Sequence, residues 1–466
     1  MNTHVSPRRG KELLRADRAY RAGGVLARLI ALAPAGLFHR MLDRIDAGLM
    51  SGTIEAHLPD ASVRLLGGRG KGPVAVVHLH SWASLARLAL SGSVGWYRAW
   101  EAGEWSSPDP VPLFDLFMRN GEALGNVGRA HGPSRWLNKV IHAFHRNDRR
   151  GARRNILAHY DLGNDFYRLW LDPSLNYSSA LFTDPGQSLE EAQAAKVDAI
   201  LDRLDLRSGS RLLEIGCGWG ALAERAVERH DVLYTGITLS PAQAEIADAR
   251  LAAVDLSDRS RIEICDYRDA QGPYDAIASV EMVEAVGEAY WPAYLDTIAR
   301  LLKPGGRAAI QYILINDALF ERYAASSDFI QAYIFPGGCL ISESRFRVLA
   351  EARGLAWRDV HRFGGDYAET LRQWRERFDA AVAADQLPSG FDARFVRLWR
   401  YYLQYCEGGF RGGGIDVAQV TLEKTALKQG ERRTCEDFWR RCCCAPRRRG
   451  AARPRPPRPP TNCQRI

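Results

Sequence analysis

Short apolar runs recur through the middle of the chain, and most of them end in a turn and lead into an alanine-rich, charged segment. Apolar runs of about four to eight residues are typical of buried strands, while the segments between them have the spacing of helices. Strands that alternate with helices predict an α/β domain with a doubly wound parallel sheet. The predicted strands are 211–215, 233–238, 262–265, 274–280 and 307–315.

The pattern upstream of this domain is different. Residues 50–120 predict a small α+β module, in which we find no catalytic constellation. Residues 24–44 predict an amphipathic helix, and their apolar run falls short of the ~20 residues that a membrane span needs. The strands predicted for the module are 53–58, 62–66 and 74–79, and its helices are 82–91 and 111–120.

These patterns divide the 466 residues into three regions. Residues 1–140 form an N-terminal α+β lipid-binding or packing module, and residues 141–425 form the α/β domain with a pocket. Residues 426–466 include three consecutive cysteines and many Arg and Pro residues, without hydrophobic periodicity. That composition cannot build a packed core, so it predicts a disordered basic tail.

A glycine turn after the strand 211–215 carries the first chemical signal. Gly216, Gly218 and Gly220 alternate with Cys217 and Trp219, which lets backbone approach a ligand where a Cβ would clash. The spacing is Gly-x-Gly-x-Gly rather than the Gly-x-Gly-x-x-Gly of dinucleotide enzymes, and the next strand ends without a carboxylate for a ribose. These features favour S-adenosylmethionine over a nicotinamide cofactor.

Charge adds a candidate partner. The net charge is +8, and the segment 146–155 has five arginines in ten residues. Arginine side chains match phosphate oxygens, so anionic lipid and nucleic acid are both candidates, although a solvated linker has the same composition. The segment does not resemble a nucleic-acid-binding module. No pair of the nine cysteines has zinc-ligand spacing, so no metal site is predicted, and a reducing cytoplasm is the simplest setting.

Several longer motifs, taken in order, resemble the cyclopropane-fatty-acyl-phospholipid synthases. The glycine turn is generic to methyltransferases, whereas YDLGNDFY and YIFPGG are specific to this family. The resemblance covers roughly residues 50–425 and implies a class I methyltransferase that uses S-adenosylmethionine on unsaturated acyl chains. The motifs are HYDLGNDFYRLWLDP, YSSALF, LLEIGCGWG, TLSPAQ, VEMVEAVGE, YIFPGGCL and YCEGGFRGGGIDVAQV.

The resemblance also implies which residues bind the cofactor. The methionine end is covered by Tyr177 and Ser178 and lies above Gly216, Cys217 and Gly218 of the glycine turn. The ribose contacts Thr238, Leu239 and Gln243. The adenine lies beside Tyr267 and Arg268.

Ring formation on an alkene passes through a carbocation, and a proton must leave the newly added methyl. The family removes that proton with a bound bicarbonate, which the resemblance assigns to Ser179, Glu284, Gln311, Ile313 (through its backbone) and Tyr333. Ser179 and Gln311 stand where the best-known members have Cys and His; they can still donate hydrogen bonds, but they lack the proton chemistry of those residues. We expect Glu284 on a helix, with Glu281 as its nearest competitor on the same face.

The sequence therefore predicts an enzyme that cyclopropanates the unsaturated phospholipid acyl chains of an anionic membrane. It would work in the cytoplasm, bound peripherally at the inner face of the membrane. The alternative is a fatty-acyl C-methyltransferase that leaves a methyl or methylene branch. Nucleic acid is not an expected substrate, since the motifs of amino and cytosine methylation are missing. The oligomeric state is left open between a monomer and a homodimer.

Overall fold

The computed structural model describes residues 35–125 and 162–425, which belong to one compact unit ending at Thr425. The predicted basic segment 146–155, the tail 426–466 and the predicted domain boundary at residue 140 lie outside the described residues. None of the described helices is both long and apolar enough to cross a bilayer.

The N-terminal module is an α+β structure, as predicted. Its four-stranded sheet has the order β2-β1-β3-β4, with β1 antiparallel to β2 and parallel to β3. One face of this sheet is buried by alternate residues of β1 and β3. The elements are α1 (Ala35–Gly48), β1 (Thr53–His57), β2 (Val63–Gly67), β3 (Val74–Leu79), α2 (Ala83–Glu101), β4 (Trp105–Ser106) and α3 (Val111–Arg119).

The larger sheet confirms the predicted doubly wound α/β fold. Its seven strands have the order β10-β11-β9-β8-β5-β6-β7, and β11 runs antiparallel to both of its neighbours. The strands from β9 to β7 are parallel, which brings their carboxyl ends to one edge of the sheet. The strands are β5 (Arg211–Ile215), β6 (Leu233–Thr238), β7 (Ser260–Ile264), β8 (Tyr274–Val280), β9 (Leu302–Ile315), β10 (Leu355–Arg362) and β11 (Ile415–Lys424).

Helices connect the strands of this sheet. The helix predicted over 190–204 is Leu189–Asp202, and it begins with a capping box at Ser188. The helices are α4 (Asn164–Arg168), α5 (Leu189–Asp202), α6 (Ala221–His230), α7 (Pro241–Ala253), α8 (Trp291–Leu301), α9 (Asp317–Ala324), α10 (Phe329–Tyr333), α11 (Glu343–Glu351), α12 (Gly364–Ala383) and α13 (Ala393–Arg411).

In the α/β domain, two of the predicted strand starts were wrong. The third strand of the α/β domain begins two residues earlier than predicted, at Ser260, and β9 begins at Leu302 instead of residue 307. The strands β10 and β11 were not predicted, because β10 is exposed over most of its length and lacks a clear apolar run. The prediction of a helix after Val280 was also wrong. A 3-10 turn over Val283–Ala285 lies there instead, and it determines the geometry of the site described below.

Close packing of α3 on α13 joins the module to the α/β domain. A Cβ added at Gly408 of α13 would lie 2.5 Å from Cβ of Phe114 and 2.6 Å from the carbonyl oxygen of Val111. Aromatic rings surround this contact, and the ring centroids of Phe114 and Tyr401 are 5.2 Å apart. The glycine therefore allows an approach between the two helices that alanine would prevent.

We expect Gly408→Ala to lower the free energy of unfolding by about 1–3 kcal/mol, because one added methyl overpacks the contact between α3 and α13. Gly365→Ala is the matched control, since a Cβ at Gly365 of α12 meets nothing within 4 Å. Thermal melting of both variants measures the difference. Equal melting temperatures would contradict the proposed close packing.

Candidate active site

A cavity of about 500 Å³ lies at the carboxyl ends of β5, β6, β8 and β9. In open α/β sheets this edge is where ligands bind. From the glycine turn the cavity continues between the two parts of the fold, where side chains of α2, α3 and α13 form its walls. The apolar part is lined by Leu88, Trp96, Phe114, Phe117, Met118, Leu319, Ile330, Tyr405 and Phe410, among others.

The glycine turn forms the floor of the polar end. Gly216, Gly218 and Gly220 have φ values of 86°, 52° and 86°, a region that other residues rarely adopt. A Cβ built on Gly218 meets nothing within 4 Å, so this residue borders open space inside the cavity. This conformation leaves room for a cofactor against the backbone.

The predicted cofactor residues line this end of the cavity, with one exception. Thr238 and Gln243 are buried and joined by a 2.9 Å hydrogen bond from Oγ1 of Thr238 to Oε1 of Gln243. Arg268 is the exception: it forms an ion pair with Asp266 and lies 5.3 Å from the ring centroid of Tyr267. We therefore interpret Arg268 as a support for the ring of Tyr267.

Sequence reasoning missed charged residues of the cavity wall, among them Lys196 and Glu214. Nζ of Lys196 donates hydrogen bonds of 2.9 Å to Oδ1 of Asn176 and to Oγ of Ser178, and burial lowers its pKa to about 8. Glu214 accepts a hydrogen bond from the Tyr234 hydroxyl, and burial raises its pKa to about 7. A signal existed for Lys196, since it lies on the buried face of α5 at helical spacing from Gln193 and Ile200.

Glu281 has a position that the sequence did not predict. It follows β8 with φ 47°, in the left-handed region, and is not on a helix face shared with Glu284. Its Oε1 accepts hydrogen bonds from the backbone N–H of Ser179 at 2.9 Å and from Nε2 of Gln311 at 2.8 Å. Its Oε2 accepts one from the Tyr367 hydroxyl at 2.7 Å. Burial raises the pKa of Glu281, and these donors oppose the rise.

Glu284 lies three residues later, in a 3-10 turn over Val283–Ala285. Its Oε1 accepts a hydrogen bond from the backbone N–H of Ile313, while its buried Oε2 has no partner among the described residues. Burial, and then the charge of Glu281, raise the pKa of Glu284 to about 8. The donors to Glu281 favour its charged form, whereas burial and the charge of Glu281 favour the neutral form of Glu284.

In the structure, the residues predicted to hold a bicarbonate form hydrogen bonds with other groups of the chain. Ser179 and Gln311 donate to Glu281, and Ile313 donates to Glu284, so carboxylates of the chain occupy these donors. Oγ of Ser179 donates to a backbone carbonyl, so the residue serves the site through its N–H. Tyr333 is not part of the cavity wall, and its hydroxyl accepts a hydrogen bond from Nε of Arg98 at 3.1 Å.

Aromatic side chains close the cavity beside the carboxylates. The hydroxyls of Tyr177 and Tyr402 are 2.8 Å apart, and the ring of Tyr177 lies 5.5 Å from that of Trp374 and 6.3 Å from that of Phe335. Aromatic faces attract cations in a site that excludes water. The wall therefore suits a positively charged ligand or intermediate.

Comparison with known proteins identifies the family. The family model for mycolic acid cyclopropane synthetase matches residues 147–420. The chain belongs to this family. It is a methyltransferase of the cyclopropane-synthase type, and its cofactor is S-adenosylmethionine.

Individual relatives differ in the reaction named for them. The chain is 37% identical over 415 residues to the tuberculostearic acid methyltransferase UfaA1 of Mycobacterium tuberculosis, covering 84% of this chain and 92% of that one. It is 38% identical over 339 residues to the cyclopropane-fatty-acyl-phospholipid synthase of Escherichia coli, covering 72% and 85%. Among solved structures, mycolic acid cyclopropane synthase CmaA1 with SAH and CTAB is 34% identical, with a TM-score of 0.55 over 58% of this chain and 98% of that chain.

We expect Gly218→Val to weaken S-adenosylhomocysteine binding by about tenfold or more, because its branched side chain would enter the space above the glycine turn. Gly209→Val is the control: Gly209 also has positive φ and open space around its Cβ, but it lies outside the cavity wall. Calorimetry on both variants measures the affinity. If the two variants bind equally well, the glycine turn is not the cofactor site.

Proposed function

We propose that this enzyme methylates the double bond of an unsaturated phospholipid acyl chain and then removes a proton to close a cyclopropane ring. The observation that carries the proposal is the buried pair of Glu281 and Glu284, which lines the same cavity as the glycine turn and the apolar side chains. An apolar cavity suits an acyl chain, and a buried carboxylate suits a base that acts on a cation.

The cofactor, when bound, supplies an electrophilic methyl to the alkene carbons, which leaves a cation on the acyl chain. The rings of Tyr177 and Tyr402 favour that positive charge and keep water away from it. Glu281 accepts the proton from the new methyl, and the electrons of the broken C–H bond form the third bond of the ring. Glu284 stays neutral beside it.

We propose that the Glu281 carboxylate itself does the work of the anion expected from the family resemblance. Two of the donors expected to hold bicarbonate already donate to Glu281, which favours a base supplied by the chain. Bicarbonate remains a prediction without direct support here, and the dependence of turnover on added bicarbonate distinguishes the two bases.

The phospholipid substrate and the membrane are also proposals. The E. coli relative is named for a phospholipid reaction, and the net charge of +8 favours an anionic surface. We propose a cytoplasmic enzyme bound peripherally at the inner face of the membrane, with the basic segment 146–155 as a contact. That segment lies outside the described residues, so this contact rests on composition alone.

A methylene-branched product is the second candidate. It is favoured by the coverage of the tuberculostearic acid methyltransferase, which extends over 84% of this chain. Here a hydride moves from the methylated carbon to the neighbouring cationic carbon before Glu281 takes a proton from the methyl. The direct product is then a methylene branch, a C=CH₂ group on the open chain, and a methyl branch would need a separate reductant.

With oleoyl phosphatidylglycerol vesicles and methyl-labelled S-adenosylmethionine, we expect label in the fatty acid and upfield cyclopropyl proton signals in the NMR spectrum. Stearoyl vesicles, which lack a double bond, are the control and should remain unlabelled. Vinylic methylene signals instead would establish the second candidate. Label in the headgroup alone would contradict both.

We expect Glu281→Gln to lower turnover by about 100-fold or more, because an amide cannot accept the proton. Glu284→Gln should lose much less activity, since Glu284 is already neutral below its pKa of about 8. In the wild type, activity should fall as the pH drops through the raised pKa of Glu281 and the base becomes protonated.

These rates are measured with S-adenosylhomocysteine affinity as a control, which should not change in either variant. Added bicarbonate should have no effect on the wild type. Full activity of Glu281→Gln, or a strict requirement for bicarbonate, would show that Glu281 is not the base.

A further inference from the structure

A line of buried side-chain amides leads from Glu281 across the neighbouring strands β9 and β11 to Arg203. Nε2 of Gln311 donates to Oε1 of Glu281 at 2.8 Å, and Nε2 of Gln419 donates to Oε1 of Gln311 at 3.0 Å. Gln311 on β9 and Gln419 on β11 are register partners, and both are fully buried. Nε of Arg203, just after α5, donates to Oε1 of Gln419 at 3.2 Å.

The hydrogen bonds of this line all point in one direction because its outer end is Arg203. An arginine side chain can only donate hydrogen bonds, whereas a glutamine amide can donate from one end and accept at the other. Arg203 therefore requires Gln419 to present its oxygen outward and its NH₂ to Gln311. Gln311 must then accept from Gln419 and present its own NH₂ to Glu281.

We propose that Arg203 and Gln419 are positioning residues that orient Gln311 so that it donates to the catalytic base Glu281. This role rests on the proposed function, in which Glu281 must be an anion when the cation forms. A flipped Gln311 would turn its carbonyl oxygen toward the carboxylate, replacing an attractive contact with a repulsive one. The orientation of the buried Gln311 amide thus decides whether Glu281 is stabilised as the carboxylate that accepts the proton.

Other groups hold this line in place and face Glu281. Nε2 of Gln419 also donates to the backbone oxygen of Lys196 at 3.3 Å, and Arg203 donates to the backbone oxygen of Asp359. The charged and titratable groups that act on Glu281 are Tyr367 from α12, Lys196 from α5 and Glu284 from the 3-10 turn. None of these changes in the variants below, so a shift in the titration of Glu281 reports on the line itself.

Gln419→Glu reverses the direction with little change in shape. The introduced carboxylate, once ionised, keeps the contact with Arg203 but can only accept from Gln311, so Gln311 must turn its oxygen toward Glu281. We expect the rate of the chemical step to fall by about tenfold or more, with unchanged S-adenosylhomocysteine affinity. The acid limb of the pH profile should move to higher pH, because Glu281 loses a donor.

Arg203→Gln is the matched control for charge. It changes the local charge by the same negative unit as Gln419→Glu, but a glutamine at this position can donate or accept, so it fixes the direction less firmly and we expect a smaller loss of rate than in Gln419→Glu. Arg203→Lys keeps both the charge and a side chain that can only donate. We expect Arg203→Lys to stay close to the wild type in rate and in the position of the acid limb.

A second readout does not depend on activity. Carbon NMR of protein labelled at the glutamate carboxyl carbons follows the titration of Glu281, with Glu281→Gln to assign its signal. If the wild type makes no acyl product, the proposed function fails, but this titration still tests the orientation. An equal shift in Gln419→Glu and Arg203→Gln would mean that charge acts instead of orientation, and no shift in Gln419→Glu would overturn the proposal.

Discussion

Glu281 and Glu284 are both buried, and the rest of the site depends on how the chain accommodates two carboxyl groups there. The two groups differ in the hydrogen-bond donors that they face. Glu281 receives hydrogen bonds from Ser179, Gln311 and Tyr367, whereas Glu284 receives one from Ile313 and leaves an oxygen unpaired among the described residues. These donors favour the charged form of Glu281, while burial and that charge favour the neutral form of Glu284 three residues later.

Such a pair requires a dry environment, and the fold supplies it with both of its parts. The parallel strands bring the glycine turn and the carboxylates to one edge, while α2 and α3 of the N-terminal module form the far wall of the cavity. The module is thus part of the site itself. Glycine at position 408 allows α3 to approach α13 closely enough to close this wall. The packing of α3 on α13 consequently affects the environment of the two carboxylates.

The sequence predicted what short-range patterns determine. The strands β5, β6 and β8 and the glycine turn were predicted correctly, because a buried parallel strand has a continuous apolar run and a turn has its own residues. The position of Glu281 was missed, since its spacing of three residues from Glu284 suggests a shared helix face. In the structure Glu281 directly follows β8 and has a φ of 47°, which is not helical. Gln419 could not have been found, because its contact with Gln311 joins residues 108 positions apart through a strand that was not predicted.

On the proposed function, two departures from the family pattern serve a single change. Ser179 and Gln311 replace residues that the resemblance gives as Cys and His, and neither can move a proton at neutral pH. Both are sufficient as donors to a carboxylate, and Glu281 supplies that carboxylate from the chain. An attached base is always present at the reacting methyl, so its action does not depend on the concentration of a free anion. A site that holds its base covalently needs only partners that fix its orientation, and buried amides can do that where proton carriers are no longer required.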